Sequence, residues 1–222
     1  MAFKRNFNIM ARPVTLLGHL VAISIAVLIL VWILHFREGV AFKSDNKLKI
    51  LNLHVLLMVI GLVLFGGQAI MAYKSIPAKK YWRKVVHLGL HAIALAAAIF
   101  GICMSFKFHH DIQLTNLVSL HSWFGLITVC LYGLQWVVGF FAYFFPGAES
   151  RRRASLMPWH VYFGIFVFLM ATCTAELGLL QSLDTWFLLG HTQENLIINF
   201  TGLLIFLYAA TVVLTVILPP LY

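Results

Sequence analysis

Four histidines stand near the ends of four different apolar segments, and these residues are the ones in the chain that could do chemistry. His121 lies in the motif Ser119-Leu-His-Ser-Trp123, at the head of an apolar run, and His54, His87 and His160 occupy comparable positions. A neutral imidazole is the commonest metal ligand among side chains, and an ionisable residue within a membrane span indicates a functional site by default. The pattern favours four axial ligands that hold two haem irons.

The composition places these histidines in a helical membrane protein. Of 222 residues, 62% are hydrophobic and 10% are charged, whereas a soluble domain carries about 25% charged residues. A membrane helix needs about 20 apolar residues, and six segments meet that length, at residues 14–36, 50–72, 85–106, 117–145, 157–180 and 196–218. We therefore expect an all-α membrane protein with six transmembrane helices, a central four-helix bundle and residues 1–222 in a single domain.

The Lys and Arg residues indicate how the segments are oriented in the membrane. The larger set lies at the amino terminus and in the second and fourth loops, and consists of Lys4, Arg5, Arg12, Lys74, Lys79, Lys80, Arg83, Lys84, Arg151, Arg152 and Arg153. The smaller set lies on the other side, and consists of Arg37, Lys43, Lys47, Lys49 and Lys107. Cytoplasmic loops carry the excess of basic residues, so we expect both termini in the cytosol. The net charge of +9 therefore reports membrane orientation and does not indicate nucleic-acid binding.

Depth in the membrane predicts how the four histidines pair. His54 and His121 enter their segments from the outer side, whereas His87 and His160 enter theirs from the cytosolic side. Each pair comes from segments two apart in sequence, which face one another readily in a four-helix bundle, a common place for cofactor sites. With a hydrocarbon core of about 30 Å and a helical rise of about 1.5 Å per residue, the two levels should stand roughly 20 Å apart.

Ligation by two imidazoles leaves no open position on a haem iron, so the pattern favours electron transfer over oxygen chemistry. A histidine-lined metal-ion transporter without haem is one alternative; it would need carboxylates within the spans, where Glu176 alone occurs. A structural membrane protein, whose histidines form only interhelical hydrogen bonds, is another. His91 lies one turn from His87 and could serve as an alternative ligand. The sequence leaves open the roles of the remaining histidines His19, His35, His110 and His191.

Three short motifs accompany the four histidines: Ala72-Tyr-Lys-Ser75, Ser119-Leu-His-Ser-Trp123 and Leu156-Met-Pro-Trp-His160. With them the chain resembles the cytochrome b561 family, the transmembrane ascorbate-dependent oxidoreductases, and is most similar to the plant type. The resemblance covers nearly the whole chain. It implies two b-type haems in the pairing above, ascorbate as cytosolic donor, and monodehydroascorbate or ferric iron complexes as acceptor. It also implies a vacuolar, endosomal or plasma membrane, and a homodimer, since family members are often dimers.

The resemblance further implies a donor site on the cytosolic face. Basic residues hold ascorbate in the family, and Lys80, Lys84 and Arg153 match their positions. Lys74 matches a basic residue near the inner haem. Because ascorbate is an anion at neutral pH, a cluster of positive charge would raise its local concentration. Lys80, Lys84 and Arg153 are therefore expected to hold the donor, with Lys74 near the inner haem.

On the outer face, the resemblance implies an acceptor site. Phe108 and His109 match an aromatic and histidine pair that contacts the acceptor in the family, and Asn116 and Ser119 match positions that line the outer haem. The chain departs from many relatives at Val118, where they carry a tyrosine. That departure makes the acceptor preference the part of the resemblance that transfers least well.

Overall fold

The computed structural model describes residues 11–184 and 192–219. Within these ranges the chain is helical, with no β-strand, and has six helices long and apolar enough to cross a membrane. They are α1 (Ala11–Phe36), α2 (Leu48–Ser75), α3 (Lys80–Asp111), α4 (Leu120–Phe144), α5 (Ser150–Leu183) and α6 (Gln193–Ile217). The predicted all-α, six-span fold is confirmed. Lys4, Arg5 and His191 lie outside the described residues.

Two of the helices are considerably longer than the apolar segments that predicted them. With 32 residues and a rise of about 1.5 Å per residue, α3 is about 48 Å long, whereas the hydrocarbon core measures about 30 Å. Helix α5 begins at Ser150, seven residues before the predicted start. Charged residues therefore lie on helical extensions beyond the apolar core, where the helix backbone fixes their positions.

The central four helices form a closed bundle, as predicted. Helix α2 packs on α3, α3 on α4, α4 on α5, and α5 returns to α2. Helices α1 and α6 pack on each other outside this ring; both contact α2, and α6 also contacts α5. We call the end of the bundle where α2 and α4 begin the His54 end, and the end where α3 and α5 begin the His87 end. Successive helices run in opposite directions between these two ends.

The outward faces of the helices are apolar. Leu20 is 63% exposed, Leu203 65% and Phe206 75%. Monomeric soluble proteins rarely present large continuous apolar surfaces to water, whereas a bilayer solvates such side chains. The chain is therefore a multi-pass membrane protein.

Helix α2 contains a π-helical segment, Leu57–Leu64, directly after the turn that carries His54. A π-helical segment shifts the faces of the helix on either side of it and leaves the regular hydrogen-bond ladder incomplete. The fully buried Tyr208 of α6 donates its hydroxyl hydrogen to Leu64 O at 2.9 Å. Gly67 makes room for this ring, since a Cβ there would lie 2.5 Å from the Tyr208 oxygen. Tyr208 thereby fixes the register between α2 and α6.

At the His54 end, one carboxylate joins α1 to α6. Glu194 Oε1 accepts a hydrogen bond from Trp32 Nε1 at 2.8 Å and a second from Arg37 Nε. The segment that follows is held by Asn52, whose Nδ2 donates to Arg37 O and Gly39 O, each at 2.8 Å. Because Asn52 stands two residues before the first paired histidine, these contacts anchor the start of α2 against α1.

Candidate functional site

The structure brings the four histidines together in two pairs. The ring centroids of His54 and His121 are 6.2 Å apart, and those of His87 and His160 are also 6.2 Å apart. The first pair joins α2 to α4 and the second joins α3 to α5. These are the two pairs that depth in the membrane predicted.

Three of the four imidazoles are oriented by a backbone carbonyl of a neighbouring helix. Nδ1 of His54 donates to Gly101 O, Nδ1 of His87 donates to Ala69 O, and Nδ1 of His121 donates to Thr174 O, each at 2.9 Å. A carbonyl can only accept, so the proton is on Nδ1 and the lone pair is on Nε2. This is the tautomer that a metal-ligating histidine needs, and the partner of the other ring nitrogen fixes it.

The fourth imidazole has a different partner. Gln135 of α4 donates its Nε2 hydrogen to His160 O at 2.8 Å, and the same nitrogen lies 3.1 Å from His160 Nδ1. The histidine motifs of the sequence do not include Gln135. The signal that could have found it is a carboxamide inside an apolar span, because such polar residues usually serve a structural or functional purpose there.

The distance between the two histidine pairs can be measured along the helices. On α3, fourteen residues separate His87 from Gly101, which bonds to the opposite pair. The same interval separates His121 from Gln135 on α4. At about 1.5 Å per residue, fourteen residues correspond to about 21 Å. This agrees with the separation predicted from the sequence.

The histidine pairs fit axial ligation of a metal. Two metal–imidazole bonds of about 2 Å each, and about 1 Å from each nitrogen to its ring centre, add up to about 6 Å. That sum matches the observed 6.2 Å at both levels. Glycines also face two of the rings: a Cβ at Gly178 would lie 2.8 Å from His121 Cε1, and a Cβ at Gly139 would lie 3.1 Å from His160 Cε1.

A cavity of about 910 Å³ opens at the His87 end, next to the His87 and His160 pair. This volume falls in the range of about 300–1,000 Å³ that ligand sites occupy. The wall contains Lys80, Lys84 and Arg153, which the resemblance assigned to the donor site, and also Lys74, which it assigned to the surroundings of the inner haem. Arg151 and Arg152 are exposed and do not line the cavity.

Two of these lysines are tethered to backbone carbonyls at the rim. Lys84 Nζ donates to Tyr143 O at 2.8 Å, and Lys74 Nζ donates to Leu218 O, at the end of α6, at 2.6 Å. Arg153 donates to Ser150 Oγ at 3.2 Å. Lys74 and Lys84 are therefore held at the cavity wall, which carries positive charge next to the histidine pair.

The His54 end presents a smaller pocket. It encloses about 80 Å³, and its wall includes His54, His121, His109 and Asn116. His109 Nδ1 is hydrogen-bonded to Asn116 Oδ1 at 3.0 Å, so these two predicted residues act as one unit at the pocket wall. At this end the spacing of the imidazoles, and not the enclosed volume, supports a bound metal group.

Two residues that the resemblance assigned to this end occupy other surroundings. Phe108 is 8% exposed and packs in a small core with Ile50, Leu53 and Met104; it does not line the pocket. Ser119 caps α4, accepting from Ser122 N at 3.3 Å in a capping box. In the structure Ser122, and not Ser119, contributes to the pocket wall.

Two further ionisable side chains, His91 and Glu176, lie in the bundle outside the two histidine pairs. His91 Nδ1 is hydrogen-bonded to the Tyr132 hydroxyl, and its ring lies 4.5 Å from that of His87. Glu176 lies against α6, because a Cβ at Gly202 would lie 2.8 Å from its Oε2. Among the described residues, no group of three His, Cys, Asp or Glu side chains is arranged to hold a metal ion.

Fold and site together define the class: a multi-pass helical membrane protein whose central bundle holds two histidine pairs, one at each end. The model of the family described as eukaryotic cytochrome b561 matches residues 53–187, a range that includes all four paired histidines. The chain belongs to the cytochrome b561 family, whose members are b-type haem proteins.

Curated relatives match nearly the whole chain. Transmembrane ascorbate ferrireductase 1 of Arabidopsis thaliana is 45% identical over 94% of this chain and 88% of its own length. Ascorbate-specific transmembrane electron transporter 1 of Zea mays is 43% identical over 96% of this chain and 92% of its own. The human transmembrane ascorbate-dependent reductase CYB561 is 37% identical over 82% of this chain and 72% of its own.

Proposed function

We propose that this chain transfers single electrons from cytosolic ascorbate across a membrane to an acceptor on the other side, with two haem b groups as its cofactors. The observation that carries the proposal is the arrangement of two equivalent histidine pairs about 21 Å apart along the helices, one of which opens onto a basic cavity. The names of the relatives, as ascorbate-dependent electron transporters and reductases, support the same assignment.

In this proposal His54 and His121 hold one haem, and His87 and His160 hold the other. When bound, the haems supply the reversible one-electron chemistry. A backbone carbonyl orients His54, His87 and His121 through Nδ1. The chain would supply two imidazole Nε2 atoms at each level, which would leave no position for a substrate on the metal. Because no substrate can bind to the metal, its chemistry is restricted to electron transfer.

The cavity at the His87 end is the proposed donor site. Lys80, Lys84 and Arg153 bind the ascorbate anion, and Lys74 places a further positive charge beside the haem level. Ascorbate gives up one electron and one proton, and the proton leaves to water through the open mouth of the cavity. The excess of Lys and Arg at this end favours the cytosolic side of the membrane, so residues 1–222 are proposed to form one domain with both termini in the cytosol.

The pocket at the His54 end is the proposed acceptor site. His109 and Asn116 line it next to the outer histidine pair, with Phe108 supporting His109 from the core and Ser119 fixing the start of α4. Ferric iron complexes and monodehydroascorbate are the proposed acceptors, and the ferrireductase name of the Arabidopsis relative supports the first. The protein is proposed to act as a homodimer in a vacuolar, endosomal or plasma membrane.

A difference spectrum tests this function. The purified full-length chain should show b-type haem absorption with two haems per chain, and adding ascorbate should produce the reduced spectrum. A histidine-lined transporter would instead give a colourless protein with stoichiometric zinc or iron, and a structural protein would contain neither metal nor haem. Either of those results would rule out the proposal.

We expect Gly178→Ala to weaken haem binding at the His54 end. The new Cβ would lie 2.8 Å from His121 Cε1, so the ring must shift away from the position that its hydrogen bond fixes. Haem per chain should fall from two towards one, measured by pyridine haemochrome assay. Gly133→Ala is the matched control, since its Cβ would make an ordinary 3.7 Å contact with Leu95. Equal haem contents in the two variants would contradict the prediction.

A further inference from the structure

The partners of the four histidines follow a positional rule. Each histidine contacts a residue on the neighbouring helix, and that residue lies fourteen or fifteen positions along the chain from the neighbouring helix's own histidine. On α2, α3 and α5 these residues are Ala69, Gly101 and Thr174, and each contributes its backbone carbonyl. On α4 the corresponding residue is Gln135, which contributes its side chain instead.

Gln135 differs from the other three partners in the hydrogen bonds that it can form. A backbone carbonyl can only accept, whereas a carboxamide has an acceptor oxygen and a donor nitrogen that exchange places when the amide rotates by half a turn. In the structure the nitrogen lies 3.1 Å from His160 Nδ1 and donates to His160 O at 2.8 Å. Since a histidine that ligates through Nε2 carries its proton on Nδ1, it needs an acceptor at this position.

The backbone near Gln135 leaves room for the His160 ring to lie against the Gln135 carboxamide. Gly139 stands one turn after Gln135 on α4, and a Cβ there would lie 3.1 Å from His160 Cε1. The two residues together face the edge of the imidazole that carries Nδ1 and Cε1. Both line the cavity at the His87 end, so the contact belongs to the donor side of the protein.

We propose that Gln135 is a positioning residue for His160 and sets the reduction potential of the haem at the His87 end separately from that at the His54 end. The proposal rests on the proposed function. On metal binding the amide rotates, exchanging its bond to His160 O for a bond in which Oε1 accepts the Nδ1 hydrogen. A partner that accepts this hydrogen raises the basicity of the ligand, and a more basic ligand stabilises the oxidised metal.

Two substitutions in the full-length, haem-loaded protein test the proposal by potentiometric titration of each haem. In Gln135→Glu a carboxylate accepts the Nδ1 hydrogen more strongly, so the potential of the His87-end haem should fall. In Gln135→Leu the acceptor is lost, and the same potential should rise. A tenfold change in the one-electron equilibrium corresponds to about 59 mV, which titration resolves. The potential of the His54-end haem should stay unchanged in both variants.

Gln68→Glu is the matched control. It introduces the same charge next to Ala69, beside the other ligand of this haem, but the Gln68 side chain bonds to Tyr208 and not to a histidine. A shift as large as that of Gln135→Glu would mean that the charge alone acts, and would overturn the proposal. The proposal would also be overturned if the potential stayed unchanged in both Gln135 variants, or if it shifted in the same direction in both. If Gln135→Glu fails to bind haem, the sign of the shift in Gln135→Leu decides. A wild-type protein without haem would instead refute the proposed function.

Discussion

Replacing His121 by alanine should remove one of two haems and leave the other reducible by ascorbate. His121 pairs with His54 alone, and the level that holds His87 and His160 stands about 21 Å away along the helices, so the donor-side pair keeps both its imidazoles. Haem per chain should fall by half. Ascorbate should still produce the reduced spectrum of the remaining haem, while electron delivery to a ferric chelate on the far side of a vesicle should be lost.

Two further variants make this result specific. His110→Ala removes a histidine at the same end whose side chain is 83% exposed, and it should retain both haems. His87→Ala should give the reciprocal result, with one haem retained but its reduction by ascorbate abolished. If His121→Ala kept the haem at the His87 end yet lost its reduction by ascorbate, the pairing of His87 with His160 would be wrong.

The pairing of the histidines could be predicted from sequence because it depends on few quantities. The lengths of the apolar segments fix how many helices cross the membrane, and the short loops force successive helices to run in opposite directions. Depth then follows from position in each segment, and four helices that close into a ring put alternate helices opposite one another. None of these steps requires the packing of individual side chains.

The orientation of each imidazole could not be predicted in the same way. It depends on which carbonyl of the neighbouring helix reaches Nδ1, and hence on helix register to within a fraction of a turn. The π-helical segment after His54 changes that register on α2, and a regular 3.6-residue period gives no sign of it. The same limitation hid Gln135, whose role follows from its contact with His160 and not from its residue type.

The acceptor end shows where a resemblance and a structure supply different information. Phe108 and Ser119 were assigned to substrate and haem by matching positions, and the structure gives each a local physical role, in a buried core and in a helix cap. Both roles act on neighbours that do line the pocket, namely His109 and Ser122. A matched position can therefore mark a residue that supports the site from behind.

The donor end yields the second large expected effect. The double variant Lys80→Ala with Lys84→Ala should raise the ascorbate concentration needed for half-reduction by about tenfold. Each lysine lines the cavity beside the histidine pair, and a contact between a charged side chain and an anion contributes about 0.7 kcal/mol at a partly exposed site. Since about 1.4 kcal/mol corresponds to a tenfold change in affinity, losing two such contacts gives this magnitude. The measurement is an ascorbate titration of the reduced haem spectrum.

The salt dependence and a charge-matched control separate binding from membrane orientation. Screening shortens the reach of exposed charges as ionic strength rises, so the difference between the double variant and the wild type should be largest at low salt. Arg151→Ala with Arg152→Ala removes the same two charges from the exposed start of α5, outside the cavity wall, and should leave the titration nearly unchanged. An equal effect of both pairs, or none from the lysines, would show that Lys80 and Lys84 only orient the protein in the membrane.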